Sequence, residues 1–366
     1  MHLRGRQPVM RAGLVLVAVA LAACSSSSSS SSSSSTATSS SAPASSSTSL
    51  SGTLNGSGST FQTVYQQAAI QAFKSVDPGI TVNYGSGGSG KGRSDLAAGV
   101  VNFAGSDSPI PSTELPDFKG KKVLYFPVFL GPITMSYNLS GVSNLKLTPM
   151  VIAEIFSAKI TKWNDPAITA INPGVSLPST PITLAVRSDS SGTTQNFTLF
   201  LMDSEPSVWT LGSSSTIKWP STARAGSGNP GVAQIIKSTP GAIGYVDYAD
   251  AKASGLTYAS VENKSGNFIA PSPQGASDAG AGVTVAPDLT FHAVWGAGAQ
   301  TYPITYQSWD LVYADQPNAN DAALLKAWIG YLIGAGQQLL GSLGYAPLPS
   351  SIQQMAQAQL SQITSM

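Results

Sequence analysis

The chain has 366 residues, of which 42% are hydrophobic and only 10% charged. That is enough apolar material for one large or two ordinary cores, and too little charge for a coiled coil or a charge-driven disordered chain. The formal charge is +1, but Arg4, Arg6 and Arg11 stand in a leader without acidic residues. Without them 16 Lys+Arg face 18 Asp+Glu, about −2, so no basic face suited to nucleic acid is expected.

The leader reads as an export signal. Its arginines precede an apolar run, Ala12 to Ala23, that is too short for a bilayer span of about 20 residues. The run ends in Leu21-Ala22-Ala23-Cys24, which resembles a bacterial lipobox. The resemblance implies cleavage before Cys24 and a lipid on that residue, so that residues 1–23 are a lipoprotein signal peptide. Cys24 is the single cysteine, and no intrachain disulfide can form. Ser25 to Ser35 is an unbroken serine run, and the composition stays Ser/Thr/Ala-rich to about Ser51. Residues 24–52 are therefore expected to be a flexible tether outside the cytoplasmic membrane.

From Leu54 onward strand-like runs alternate with helical patterns, as in α/β layers. Phe61, Val64, Tyr65, Ala68 and Ala72 have helical spacing, and Asp77-Pro78-Gly79 ends that helix. Strands are predicted at Ile80 to Tyr84, Val100 to Ala104, Pro181 to Val186, Ala242 to Tyr245 and residues 302–313. The apolar segment Val123 to Tyr137 predicts one or two more. Helices are predicted over about Gly92 to Ala98 and Thr194 to Met202. Leu325, Trp328, Leu332, Leu339 and Leu343 predict one amphipathic C-terminal helix.

Three small-residue turns each stand between a strand and a helix. They are Gly56-Ser57-Gly58-Ser59-Thr60-Phe61, Gly85-Ser86-Gly87-Gly88-Ser89-Gly90 and Ser190-Ser191-Gly192-Thr193-Thr194. A helix start exposes unpaired N–H groups and about half a positive charge, so each turn is suited to an anion. One such turn is equally well a set of caps; three, with Arg187 beside the third, point to an anion site. Gly85 to Lys91 fits G-x-x-x-x-G-K, but Gly92 follows where a nucleotide-binding loop needs Ser or Thr, and ATP hydrolysis is rejected. The only histidines are His2 and His292, which nearly excludes a histidine zinc site; no metal or cofactor motif is present. No G-x-S-x-G elbow accompanies His292, which is expected to be a partly buried structural residue.

Leu54-Asn55-Gly56-Ser57-Gly58-Ser59-Thr60-Phe61, Val101-Asn102-Phe103-Ala104-Gly105-Ser106-Asp107, Lys162-Trp163-Asn164-Asp165-Pro166-Ala167-Ile168, Asn172-Pro173-Gly174, Arg187-Ser188-Asp189-Ser190-Ser191-Gly192-Thr193, Thr239-Pro240-Gly241-Ala242-Ile243-Gly244-Tyr245 and Tyr345-Ala346-Pro347-Leu348-Pro349 carry a family resemblance. The chain resembles the substrate-binding lipoprotein of the bacterial phosphate ABC importer, a periplasmic binding protein. The matching stretches run in order across nearly all of residues 54–350. Gln62 departs from the pattern, where the family usually has proline. The segment from about Ser213 to Arg224 does not align and is expected on the surface.

The resemblance implies an α/β, two-lobe periplasmic-binding-protein-like fold of type II. Each lobe has a central sheet flanked by helices, and two crossing hinge strands join them, with Val128 to Asn138 and Tyr302 to Val312 as candidates. The first lobe would hold residues 53–134 and 301–366, and the second 135–300. Phosphate would be bound between them by Thr60 and the Phe61 N–H, by Ser89, by Asp107, and by Arg187, Ser191, the Gly192 N–H and Thr193. Implied partners are inorganic phosphate, the permease subunits of an ABC importer, and a membrane reached through Cys24. The chain is expected to be a monomer without cofactor or chemistry of its own. Arg187 has the planar fork that grips oxyanions, and Asp189 can fix it. Asp107 is informative in another way: an ionised carboxylate only accepts hydrogen bonds, so it suits an anion that carries a proton and opposes sulfate. A capping role for Asp107, a carrier for another oxyanion, and a secreted serine hydrolase remain open from sequence.

Overall fold

The computed structural model describes residues 50–366; the leader, Cys24 and the serine run lie outside them. Strands and helices first alternate as β1 (Gly52–Gly58), α1 (Thr63–Phe73), β2 (Ile80–Ser86), α2 (Ser89–Ala97), β3 (Phe103–Ser106) and β4 (Val123–Tyr137). Next come β5 (Lys146–Leu147), α3 (Pro149–Phe156), α4 (Pro166–Ala170), β6 (Thr183–Arg187), α5 (Gly192–Ser204), β7 (Arg224–Gly226), α6 (Gly228–Ser238), β8 (Ala242–Asp247) and α7 (Tyr248–Ala253). The chain continues with β9 (Thr257–Tyr258), β10 (Ser260–Glu262), β11 (Phe268–Ile269), α8 (Pro273–Gly280), β12 (Thr305–Tyr313) and β13 (Asp315–Gln316). It ends with α9 (Ala319–Ile333), α10 (Leu340–Leu343), α11 (Ser350–Gln359) and β14 (Thr364–Ser365).

The main sheet has the order β2-β1-β3-β12-β4-β8-β6-β7, with β9 also on β4. Pairing is parallel within β2-β1-β3 and within β8-β6-β7, as helical crossovers require. β12 runs antiparallel to β3 and β4. The 15-residue β4 is shared: Val123 to Pro132 pair with β12, and Ile133 to Tyr137 with β8. All of β4 but Val123 is buried, which explains its near-continuous apolar sequence.

Aromatic clusters underlie both parallel ends. Phe61, at the turn after β1, stacks on Tyr306 with centroids 4.0 Å apart and meets Phe129 edge-on at 4.9 Å. In the other half Tyr245 of β8 stacks on Phe197 of α5 at 4.6 Å, and Phe156 and Trp219 pack alongside. These rings fix the strand ends from which the turns leave.

Some predicted elements shift. β3 begins at Phe103, because Val100 bonds back to the Asp95 carbonyl at the end of α2 and is exposed. The segment Val123 to Tyr137 forms one strand. The C-terminal helix is not continuous: α9 stops at Ile333, and Leu339 and Leu343 belong to a 3-10 turn and to α10. The Leu332 carbonyl accepts from Tyr65 Oη, far away in sequence, and from Gln337 Nε2, both at 2.8 Å, rather than from a continuing helix. His292 is exposed rather than partly buried.

Asp310 on β12 is fully buried, with Gln66 Nε2 donating to its two oxygens at 3.3 and 3.1 Å. Burial pushes its carboxyl up to about 7, against the opposing glutamine bonds, and Asp107 adds to the rise. A folded-state pKa above the unfolded one means that the folded chain binds the extra proton. Stability from this group is full below about pH 4 and is lost as pH rises to about 7. Asp310→Asn is therefore expected to stabilise the protein at pH 8 by about 2–4 kcal/mol, and to lose that advantage towards pH 4. Denaturant unfolding at the two pH values checks this; equal differences at both would contradict it.

Candidate functional site

The three turns converge, and each is held from behind. In the first, the Phe61 ring anchors the backbone. Ser59 Oγ accepts from the Phe61 N–H at 3.1 Å and stands 2.7 and 2.6 Å from the two oxygens of Asp107, to which its single hydrogen donates. Thr60 Oγ1 accepts from the backbone N–H and from Nδ2 of Asn229, at 3.3 and 3.2 Å. Asn229 lies in the first turn of α6, so Thr60 reaches across to the β6–β8 half of the sheet.

The second turn ends β2 and opens α2. Ser89 Oγ accepts from the N–H groups of Asp107 (3.1 Å) and Gly192 (3.2 Å) and donates to Asp107 Oδ2 at 3.3 Å. Two glycines permit this approach. Gly88 has φ +89°, and a Cβ there would lie 2.3 Å from Asp189 Oδ2. A Cβ on Gly192 would lie 2.6 Å from both Ser89 Oγ and Asp107 Cβ. Lys91, which completes the nucleotide-loop pattern, is spent on an exposed pair with Asp95 at 2.7 Å.

The third turn joins β6 to α5. The Arg187 N–H donates to Tyr245 Oη at 3.0 Å, tying the strand end to the aromatic cluster. Its guanidinium is buried and donates through Nε to Asp189 Oδ1 at 2.9 Å, through Nη2 to Asp189 Oδ2, and through Nη1 to Thr193 Oγ1 at 3.4 Å. Asp189 also accepts from the Gly228 N–H at 2.9 Å. Burial pushes Asp189 up, but the bonds and charge of Arg187, with Gly228, outweigh it and hold the carboxyl below its usual range. Ser191 caps α5, its Oγ accepting from the Thr194 N–H at 3.1 Å.

Asp107 sits where the turns meet and is 1% exposed. Ser59, Ser89 and Ser308 donate to it, Ser308 at 2.5 Å. Burial pushes its carboxyl up to about 6, opposed by Ser308, Ser59, the Arg187 charge and Ser89. Three donors leave about one of a carboxylate's roughly four acceptor positions. Around it stand the first residues of α2, α5 and α6, whose helix dipoles favour an anion; the Gly192, Gly228 and Asn229 N–H groups donate to Ser89, Asp189 and Thr60. The arrangement suits a small oxyanion that is gripped by dipoles and one arginine and brings a hydrogen atom to Asp107.

All eight predicted contact residues are thus in one neighbourhood. Thr60, Ser89, Asp107, Arg187, Ser191, Gly192 and Thr193 are linked directly or through Asn229, and Phe61 enters by its backbone. Sequence reasoning missed Ser59 as a partner of Asp107, and it missed Ser308, Asn229 and Arg93. Arg93 is buried, pairs with Glu114 at 2.6 Å and donates to Ser106 and Ser108, which flank Asp107. Ser308 shares β12 with Thr305, Gln307 and Asp310, so no single polar residue stood out in that strand. The segment Ser213 to Arg224 is not merely surface: the carbonyl of buried Ser215 accepts from the Ser191 N–H at 2.9 Å, so it backs the third turn. Among the described residues no group of His, Cys, Asp and Glu could hold a metal ion.

A family model described as the PBP superfamily domain matches residues 41–335. The phosphate-binding protein PstS 3 of Mycobacterium leprae is 35% identical over 311 residues, 82% of this chain and 84% of its own. The PstS protein of Pasteurella multocida is 35% identical over 316 residues, 84% and 89% of the two chains. Among solved structures, a high-affinity periplasmic phosphate-binding protein, PfluDING, has a TM-score of 0.69 at 23% identity, covering 84% of this chain and 94% of its own. That likeness establishes the fold, the α/β arrangement of periplasmic binding proteins. The chain belongs, within the PBP superfamily, to the PstS family of phosphate-binding proteins.

The tight contact between turns is directly testable. Gly192→Ala must displace Ser89 or Asp107 and is expected to cost about 1–3 kcal/mol in denaturant unfolding. Gly85→Ala, with its nearest neighbour at 4.0 Å, should stay within about 0.5 kcal/mol of the parent. Equal costs would contradict the packing described.

Proposed function

We propose that this protein captures inorganic phosphate outside the cytoplasmic membrane and delivers it to the permease of an ABC importer. The observation that carries the proposal is the buried Asp107 carboxylate, with its three hydroxyl donors, among helix N-termini and beside Arg187. Such a site attracts an anion yet needs a hydrogen on one of its oxygens. Phosphate carries one or two protons at neutral pH and sulfate carries none. The names of the relatives agree with this ligand.

Contacts would come from Thr60, the Phe61 N–H, Ser89, Asp107, Arg187, Ser191, the Gly192 N–H and Thr193. Each would gain from exclusion of water: at an effective dielectric near 20, a charge pair at about 4 Å contributes roughly 4 kcal/mol before desolvation. Residues 53–134 with 301–366 would form one lobe and 135–300 the other, closing on the ligand. Cys24 would carry the lipid anchor, and the serine-rich segment would give the binding domain reach as a monomer. The protein would have no catalytic role. Among the described residues, no histidine or lysine donates to or accepts from the hydroxyls of Ser59, Ser89 or Ser191, which disfavours a serine hydrolase.

Calorimetric titration of the purified protein, freed of bound anion, tests the reading. Tight one-to-one phosphate binding with silent sulfate is expected at pH 7.5. Below about pH 6 Asp107 takes up a proton and becomes a donor, so sulfate affinity should rise as pH falls through that value. Equal binding of both anions at pH 7.5 would favour a general oxyanion carrier, and binding of neither would end the transport proposal.

A further inference from the structure

Gln62, the position at which this chain departs from the family pattern, is fully buried at the start of α1 and is not in the anion site itself. Its Nε2 donates to the Trp309 carbonyl at 2.9 Å and to Ser308 Oγ at 2.8 Å. A carbonyl can only accept, so the amide end facing β12 must be the nitrogen. Ser308 Oγ then accepts from Gln62, and its own hydrogen is directed to Asp107 Oδ1 at 2.5 Å. The other end of the amide is fixed as well: Gln62 Oε1 accepts from Gln66 Nε2 at 2.9 Å, and Gln66 leans on Asp310. A shift in the pairing of β12 with β4 falls between Ser308 and Trp309, and irregularities of this kind re-aim a side chain.

We propose that Gln66, Gln62 and Ser308 form a one-directional hydrogen-bond relay that commits Asp107 to accept from the ligand, and so sets the choice between protonated and fully ionised anions. This deepens the phosphate reading and rests on it for the identity of the ligand. Gln62 is a positioning residue: it touches no ligand group and acts through Ser308. Proline, the residue that the family resemblance puts at this position, has no side-chain donor and could not take the place of Gln62 in the relay.

The titratable and charged groups around Asp107 are Arg187 on β6, Tyr306 and Asp310 on β12, Tyr84 on β2, Asp247 at the end of β8 and Tyr345 before α11. Gln62 also bonds to Asp310 and lowers its carboxyl, but that effect is the same with and without Ser308, so the double variant separates it from the relay. Loss of the Ser308 hydroxyl removes a donor to the charged form, and Asp107 should hold its proton more tightly. With Gln62 gone the hydroxyl can still reach Asp107 but is free to turn away.

The test is carbon-detected NMR titration of the Asp107 carboxyl in the ligand-free protein, for the parent, Gln62→Met, Ser308→Ala and the double variant. The proton-binding constant of Asp107 should rise about tenfold in Ser308→Ala and about threefold in Gln62→Met, while Gln62→Met adds nothing once Ser308 is alanine. Phosphate-over-sulfate preference at pH 7.5, read by calorimetry, should fall in the same order. A purely packing role for Gln62 would lower thermal stability without moving either readout. The relay is overturned if Gln62→Met leaves the Asp107 titration unchanged, or moves it equally with and without Ser308. If the parent protein binds no phosphate while the titrations shift as expected, the ligand assignment fails and the relay stands.

Discussion

Two negative groups can face one another in a dry pocket only where a hydrogen atom lies between them, and that constraint organises this molecule around Asp107. The carboxylate is desolvated by its position behind β3, so the surrounding chain must return hydrogen bonds that water would have supplied. Ser59, Ser89 and Ser308 do so from three separate elements. Each of those elements has to be placed within tenths of an ångström, which the aromatic clusters beneath the turns and the close turn-to-turn packing accomplish. The same logic sets the balance of charge. Arg187 is buried, but Asp189 takes up two sides of its fork, so the site opposes a large net attraction for any anion with a requirement for the right one.

Function and stability pull against each other here. A carboxyl held above its ordinary range destabilises the folded chain at neutral pH, and both Asp107 and Asp310 do this. Asp310 has no place in the anion site, yet it closes the far end of the hydrogen-bond chain that reaches Asp107. Its retention costs stability that an apolar residue would not, which is intelligible if orientation of buried amides matters more than their number.

Much of the arrangement was legible in the residues. The alternation of strands and helices, the long apolar run of β4 and the three small-residue turns all depend on local pattern, and local pattern is what a sequence displays. The proposed contact residues could be picked out as a group because the turns that carry them have short, specific signatures. Ser308 and Asn229 were not, since neither belongs to such a turn and their roles arise from pairing with residues 201 and 169 positions away. The break between α9 and α10 was hidden for a similar reason: Tyr65, distant in sequence, takes the Leu332 carbonyl that a helix would have used. Val100 looked like strand because it is β-branched, and only the closing bond to Asp95 shows it to be turn.

The place of β12 between β3 and β4 has a consequence for how the chain acquires its structure. β3 ends at Ser106, and its partner across the ladder is Trp309, so a ribosome has to make about two hundred further residues before the pair can form. Until then β3 is an unprotected edge and Asp107 lacks one of its three hydroxyls. Folding dominated by such distant pairings is slow, because loop closure is paid before contacts repay it. The nascent chain would thus remain unable to grip an anion until nearly its whole length exists, and ligand capture becomes a property of the finished molecule alone.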